Sequence, residues 1–241
     1  MNISLAWGPT GAAALAPHAD VAVVVDVLSF STTVTVAADL GIDVLPHRWA
    51  VETAAAYARE RAAMLAVSRR DARAGDVSLS PASFRTVTGL TRVVLPSPNG
   101  STICAVLAES GADVVVASLR NRLAVADYLA TRVADVLLVP AGERWPDGSL
   151  RPAIEDLWGA GGVAAALQEA GAELSDEAQA AAAAYRLVES RLEAALRACA
   201  SGVELADGGY ASDVTIAAEL DSSVSVPILA GDRLTARPVE S

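Results

Sequence analysis

The chain is poor in the residues that most often announce a function. In 241 residues it has two histidines, His18 and His47, and two cysteines, Cys104 and Cys199. Histidines so few and so far apart argue against a His-rich zinc site. Both cysteines stand in alanine-rich, helix-like contexts, which suits small buried side chains better than a disulfide and implies a reducing, cytoplasmic setting. Positive charge is scarce as well. Against 29 acidic residues there are 18 basic ones, for a formal net charge of −11, and the one local basic cluster is Arg69, Arg70 and Arg73. A nucleic-acid binder needs a basic surface, so nucleic acid is not an expected partner. No apolar run reaches the ~20 residues of a membrane span, so no membrane association is expected. The opening MNISLAWGPTGAA lacks the basic and apolar regions of a signal peptide.

What the chain does have is short, valine-rich runs. Residues 21–27 (VAVVVDV), 91–96, 112–118, 134–141 and 223–229 are predicted strands, with weaker candidates at 2–7 and 42–46. Continuous apolar runs, rather than strict alternation, predict strands covered on both faces. Helix-like segments at 31–40, 50–66, 100–110, 120–132 and 152–171 alternate with them. The expectation is an α/β fold, a layered mixed or parallel sheet flanked by helices, in a single domain over 1–241 or in two closely packed lobes. From Ser175 to Cys199 the composition predicts one long helix capped by Ser175, and glycine-broken helical pieces follow. Residues 175–220 thus form a helical elaboration ahead of the last strand.

In open α/β sheets, ligands bind beyond the carboxyl ends of the strands, and four predicted strands end on polar groups. Asp26 closes the first. SPNGST (97–102) follows 91–96, SLRN (118–121) follows 112–118, and AGERWPDG (141–148) leads from 134–141 into AIEDLWGAGG (153–162). Asn99-Gly100 reads either as a plain turn or, because a helix follows, as a helix start whose N–H groups suit an anion. Without a lysine after it, it is not a Walker loop. Glu155 and Asp156 either favour the positive end of their helix or ligate Mg²⁺. Adjacent helical residues point ~100° apart, so one could face a site while the other holds backbone. Gly159, Gly161 and Gly162 predict close packing, or a site, against that helix. Asp26 is either a buried capping acid or a ligand. Ser31, Thr32 and Thr33 could cap the helix after it or donate to a phosphate. Arg120 and Asn121 suit a surface helix start or an anion site.

Other phosphatase chemistries lack their residues. Val27 and Leu28 follow Asp26 where a haloacid-dehalogenase-type site needs a second acid, Ser110 and Leu205 stand where a cysteine phosphatase needs arginine, and there is no Gly-x-Ser-x-Gly elbow. An acidic protein handling an anion must gather positive charge locally or take it from a metal ion. Metal-assisted hydrolysis of a phosphate ester is the enzyme class that fits.

Taken together, DVLSFSTT (26–33), LSP (79–81), PNGS (98–101), SLRNRLAVA (118–126) and PAGERWPDGSLRPAIEDLWGAGG (140–162) resemble, in order and spacing, the motifs of the 2-phosphosulfolactate phosphatase (ComB-like) family. The resemblance implies a Mg²⁺-dependent phosphatase that converts (R)-2-phospho-3-sulfolactate to 3-sulfolactate and phosphate, as in coenzyme M biosynthesis. It places catalytic and metal-holding roles at Asp26, Glu155 and Asp156. Substrate and phosphate binding fall to Thr32, Thr33, Asn99, Gly100, Ser101, Thr102, Arg120 and Asn121. A small anionic molecule is the implied partner, and a homo-oligomer is left open. Ser29 and Phe30 stand where the family has Arg-Ala, which removes a bidentate oxyanion donor. Arg69, Arg70 and Arg120 are the candidates to replace it. A phosphatase with another substrate, or a relative that binds a small anion without turnover, are the alternatives.

Overall fold

The computed structural model describes residues 1–48, 51–73, 75–132 and 134–237. In chain order the elements are β1 (Asn2–Leu5), α1 (Gly8–Leu15), β2 (Val21–Val25), α2 (Phe30–Asp39), β3 (Asp43–Arg48), α3 (Val51–Glu60), β4 (Met64–Leu65), α4 (Pro81–Phe84), β5 (Arg92–Ser97) and α5 (Gly100–Leu107). There follow β6 (Asp113–Ala117), α6 (Arg122–Ala130), β7 (Val136–Pro140), β8 (Glu143–Arg144), β9 (Leu150–Arg151), α7 (Ile154–Glu169) and β10 (Glu173–Leu174). The chain ends with α8 (Asp176–Arg186), α9 (Leu192–Ala198), α10 (Ala200–Asp207), α11 (Ala211–Ala217), β11 (Val226–Ala230) and β12 (Arg233–Arg237).

Ten of these strands form one mixed sheet in the order β10-β1-β7-β2-β6-β11-β12-β3-β5-β4. The expected α/β layering is present. The sheet is two parallel groups joined by the antiparallel hairpin β11–β12. Ile228 of β11 pairs with Val115 of β6, and Leu234 of β12 pairs with Val44 of β3, both antiparallel. Three antiparallel steps therefore separate β6 from β3, so β3, β5 and β4 run opposite to β2, β6 and β7. The hairpin partner β12 and the early helix α1 were not predicted.

Strand β2 explains why its run is continuously apolar. Val21, Val23 and Val25 enter a core shared with α6, α7 and α8, whereas Ala22 and Val24 enter a second core with Phe30, Leu95 and Ile103. The two-residue period of a strand sends alternate side chains to opposite faces, and helices cover both. The glycines of α7 serve close packing. A Cβ on Gly159 would lie 2.6 Å from Val27 Cγ2 and 2.7 Å from Val25 Cγ1, and one on Gly161 would strike the Ala181 carbonyl of α8.

The single helix expected from Ser175 to Cys199 is instead two. Ser175 does cap α8, its hydroxyl accepting the Ala178 N–H at 3.3 Å. A short 3₁₀ turn, Glu189–Arg191, then separates α8 from α9. The break falls at Val188–Ser190, where a β-branched residue and a serine give weak helix propensity. It keeps Val188, Leu192 and Leu196 buried. The helix expected over 50–66 is shorter, Val51–Glu60, because Ala62 takes a positive φ of 48° before β4; its expected first residue, 50, lies outside the described residues. Cys104 and Cys199 are free and buried. Among the described residues no helix is long and apolar enough to cross a membrane.

Candidate active site

Asp26 sits one residue beyond β2, 5% exposed, with both carboxylate oxygens held by backbone. The Phe30 N–H donates to Oδ1 at 3.2 Å and the Gly100 N–H to Oδ2 at 2.9 Å. Phe30 and Gly100 are the first residues of α2 and α5, so the positive ends of two helices converge on one acid. Only glycine allows this approach: a Cβ at position 100 would lie 2.5 Å from Phe30 Cγ and 2.9 Å from Asp26 Oδ2. Burial nevertheless raises the Asp26 carboxyl to about 6, against the lowering by its two N–H donors; the charge of Glu155 adds to the rise and that of Arg69 opposes it.

Asp156 is a backbone staple. Its Oδ1 accepts the Val27 N–H at 2.7 Å and its Oδ2 the Gly142 N–H at 2.9 Å, tying the end of β2 to the loop after β7. Of the two adjacent acids on α7, this one holds the local backbone. Burial holds its carboxyl well above the usual range, and the charges of Asp26 and Glu155 push the same way. Glu155 is 2% exposed and lies against the Cys199 thiol, which burial and the Glu155 charge push up to about 12. A fourth acid joins them. Glu143 Oε2 accepts the Asn99 side-chain N–H at 2.9 Å, and burial, then the charge of Asp26, raises its carboxyl to about 7. Glu143 was not singled out from the sequence, although it lies in the strand-end loop 141–148.

The hydroxyls of the first motif are spent on structure. Ser31 Oγ accepts the Asp26 N–H at 2.9 Å, Thr32 donates to the Val27 carbonyl at 2.8 Å and Thr33 to the Leu79 carbonyl at 2.9 Å. In the second motif Ser101 donates to the Leu95 carbonyl at 2.8 Å and Thr102 to the Ser97 carbonyl at 3.4 Å. These bonds fix where α2 and α5 begin, and so where Asp26 is gripped. The third motif lies elsewhere. Arg120 is buried between Asp39 (3.1 Å) and Glu219 (3.2 Å), and Asn121 caps its own turn at the Ser118 N–H (2.8 Å). Among the described residues neither touches the four acids.

The site therefore gathers Asp26, Glu143, Glu155 and Asp156 at the carboxyl ends of β2 and β7, near enough to perturb one another. Cations whose charge reaches them include Arg69, acting on Asp26, and Arg151, acting on Glu143 and Glu155. Arg151 is also paired with Glu204 at 3.0 Å. Among the described residues no three acidic, His or Cys side chains already form a metal cage. The four side chains offer oxygen only, three of them buried and Glu143 half-buried, a donor type that suits a hard dication. A cavity of about 240 Å³ opens beside Asn99 and Glu143, lined also by Trp7, Pro9 and Arg144. On the other side of the Pro98–Asn99 turn a wider one, about 620 Å³, is lined by Arg69, Arg70, Leu79 and Pro98.

Clustered acids thus lie at the strand ends of an α/β sheet, beside two cavities, where such sheets bind their ligands. Comparison with known proteins makes this specific. The model of the family described as 2-phosphosulpholactate phosphatase matches residues 12–232. A protein of Deinococcus radiodurans named probable 2-phosphosulfolactate phosphatase is 32% identical over 218 residues, 88% of this chain and 88% of that one. The chain belongs to the 2-phosphosulfolactate phosphatase family, whose members are phosphoric monoester hydrolases.

Proposed function

We propose that the protein hydrolyses a small, multiply anionic phosphate ester with Mg²⁺, and that the ester is (R)-2-phospho-3-sulfolactate, giving 3-sulfolactate and phosphate in the cytoplasm, a step of the coenzyme M type. The observation that carries this reading is the group of three buried carboxylates, Asp26, Glu155 and Asp156, joined by the half-buried Glu143, in a chain of this family. Asp26 and Glu155 would hold the metal ion, with Asp156 fixing the backbone on which both depend. When bound, Mg²⁺ supplies charge that offsets the phosphate oxygens and the carboxylates together.

The remaining chemistry belongs to the chain. Glu143 faces the smaller cavity, and its Oε2 takes a hydrogen bond from Asn99, which favours the carboxylate form. With a carboxyl raised to about 7 it is matched to proton transfer near neutral pH. Glu143 would take the proton of the water that attacks phosphorus as the ester P–O bond breaks; the same proton can then pass to the departing alkoxide. The start of α5, from Asn99 to Thr102, would face the phosphate, and the fixed carboxylate of Asp26 would set its distance. Thr32 and Thr33 act here by holding α2, and Arg120 and Asn121 by holding the neighbouring turn.

The test is phosphate release from a panel of esters with and without Mg²⁺. Release from the sulfolactate ester that depends on Mg²⁺ and is lost in Asp26→Asn supports the reading. Failure to hydrolyse that ester or any 2-hydroxy-acid phosphate ends it.

A further inference from the structure

Arg69 links the helical elaboration to the acid-bearing end of the sheet. It comes from the loop between β4 and α4, yet its side chain reaches the first turn of α2. Its Nη2 donates to Ser29 Oγ, to the Leu79 carbonyl at 3.2 Å and to Asp213 Oδ2 at 3.2 Å. Asp213, on α11, is fully buried and also accepts the Ser80 hydroxyl at 2.5 Å. Tyr210 holds the same loop from the other side. Its hydroxyl donates to the Arg69 carbonyl at 2.7 Å, and its ring lies 5.4 Å from the Arg69 guanidinium carbon. The helical elaboration thus grips both backbone and side chain of one residue, which fixes a guanidinium at little entropic cost on binding.

Three features say that this guanidinium is not only a partner for Asp213. Among the described residues, every hydrogen bond of its guanidinium is made by Nη2. Nε is buried without a partner, as it is in Arg92 and Arg122, whereas Nη1 makes no hydrogen bond among the described residues and is not sealed in. And the side chain keeps 19% of its surface open, where it lines the wider cavity with Arg70 and Pro98. Pro98 precedes the Asn99–Gly100 turn that grips Asp26, and the charge of Arg69 reaches Asp26. The Ser29 hydroxyl, at the start of α2, accepts a hydrogen bond from this guanidinium.

We propose that Arg69, preorganised by Asp213 and Tyr210, grips a second oxyanion of the substrate, its sulfonate or carboxylate, and so sets specificity for esters that carry one. The inference rests on the phosphatase reading for the identity of the ligand. Nη1, left open while Nη2 is held and Nε is buried, suits a sulfonate or carboxylate oxygen, and a lysine ammonium does not reproduce its fixed placement. Arg70, exposed on the same cavity, adds field rather than a fixed contact.

The test is calorimetric binding of 3-sulfolactate, lactate and inorganic phosphate, each with Mg²⁺, to the native protein, Arg69→Gln and Arg69→Lys. Expected is at least a tenfold loss of 3-sulfolactate affinity in Arg69→Gln, only partial recovery in Arg69→Lys, and phosphate affinity within about twofold of native. Lactate binding that falls with 3-sulfolactate assigns the contact to the carboxylate; lactate binding that does not fall assigns it to the sulfonate, and both support the proposal. Equal loss for phosphate, unchanged 3-sulfolactate affinity, or native protein that does not bind 3-sulfolactate overturns it. If Arg69→Gln does not fold, phenylglyoxal labelling of the native protein decides, since 3-sulfolactate must protect Arg69, and absence of protection overturns the proposal. Arg69-dependent binding without hydrolysis of any ester would remove the phosphatase reading and leave this one. Hydrolysis with an unchanged KM in Arg69→Gln would do the reverse.

Discussion

The N–H of Gly100 donates to Asp26 Oδ2 at 2.9 Å, and this bond joins the ends of two strands that run in opposite directions. It connects the anion turn to the acid at the end of β2 and needs a residue without a Cβ. Gly100→Ala places a methyl against Phe30 and Asp26. Overpacking of this kind typically costs about 1–3 kcal/mol, and the clash also lengthens the Asp26 bond. The expected outcome is a lower urea midpoint together with at least a tenfold loss of phosphate release. A variant as stable and as active as the native protein would show that the two ends are not coupled.

Glu143 separates proton transfer from metal holding. Glu143→Gln keeps the size of the side chain and its bond to Asn99 but cannot take a proton. A positioned general base contributes roughly 10²–10⁴ in rate. kcat should fall by that order with KM changed little, and the limb of the kcat profile near pH 7 should disappear. A rise in KM at constant kcat would place Glu143 in binding instead.

Part of this site could be read from residues alone, and the reason is physical. Asp26 and the Glu155–Asp156 pair lie at the end of a strand and the start of a helix, positions that hydrophobic runs mark well. Glu143 lies in a loop whose path depends on the positive φ of Gly142, 69°, so its aim could not be read from spacing. Asp213 and Tyr210 reach Arg69 across 144 and 141 residues of sequence, respectively, a contact made by tertiary packing of the helical elaboration. Thr32, Thr33 and Ser101 had hydroxyls at motif positions, but whether a hydroxyl faces a ligand or a carbonyl depends on the register of the turn before it.

Arg120 illustrates the same limit and gives a sharp contrast. Its side chain is 5% exposed between Asp39 and Glu219. The two carboxylates are 29% and 31% exposed and Glu219 keeps Arg85, so losing the arginine costs about 1.5–3 kcal/mol, the range of charged hydrogen bonds. Arg120→Gln should lower the melting temperature by several degrees, while the folded fraction keeps its KM for the ester within about threefold. A large rise in KM at unchanged stability would return Arg120 to the substrate site.

The raised carboxyls predict how metal, protons and stability are linked. Asp26 stands at about 6 and Glu143 at about 7, above their ordinary values of 3.8 and 4.5. Folded protein therefore binds more protons than unfolded chain between about pH 4 and 7. The stability these groups contribute is complete below about pH 4 and is lost as pH rises through 6 and 7, on the order of a few kcal/mol in the metal-free protein. Mg²⁺ competes with those protons, so its affinity should rise between pH 5.5 and 8, and binding should release protons. Melting curves at both pH values, with and without Mg²⁺, measure this directly, and the metal should raise the melting temperature more at pH 8. Titration in two buffers of different ionisation enthalpy counts the protons. Stabilisation by Mg²⁺ that is equal at both pH values, with no proton release, would place the ion away from the four acids.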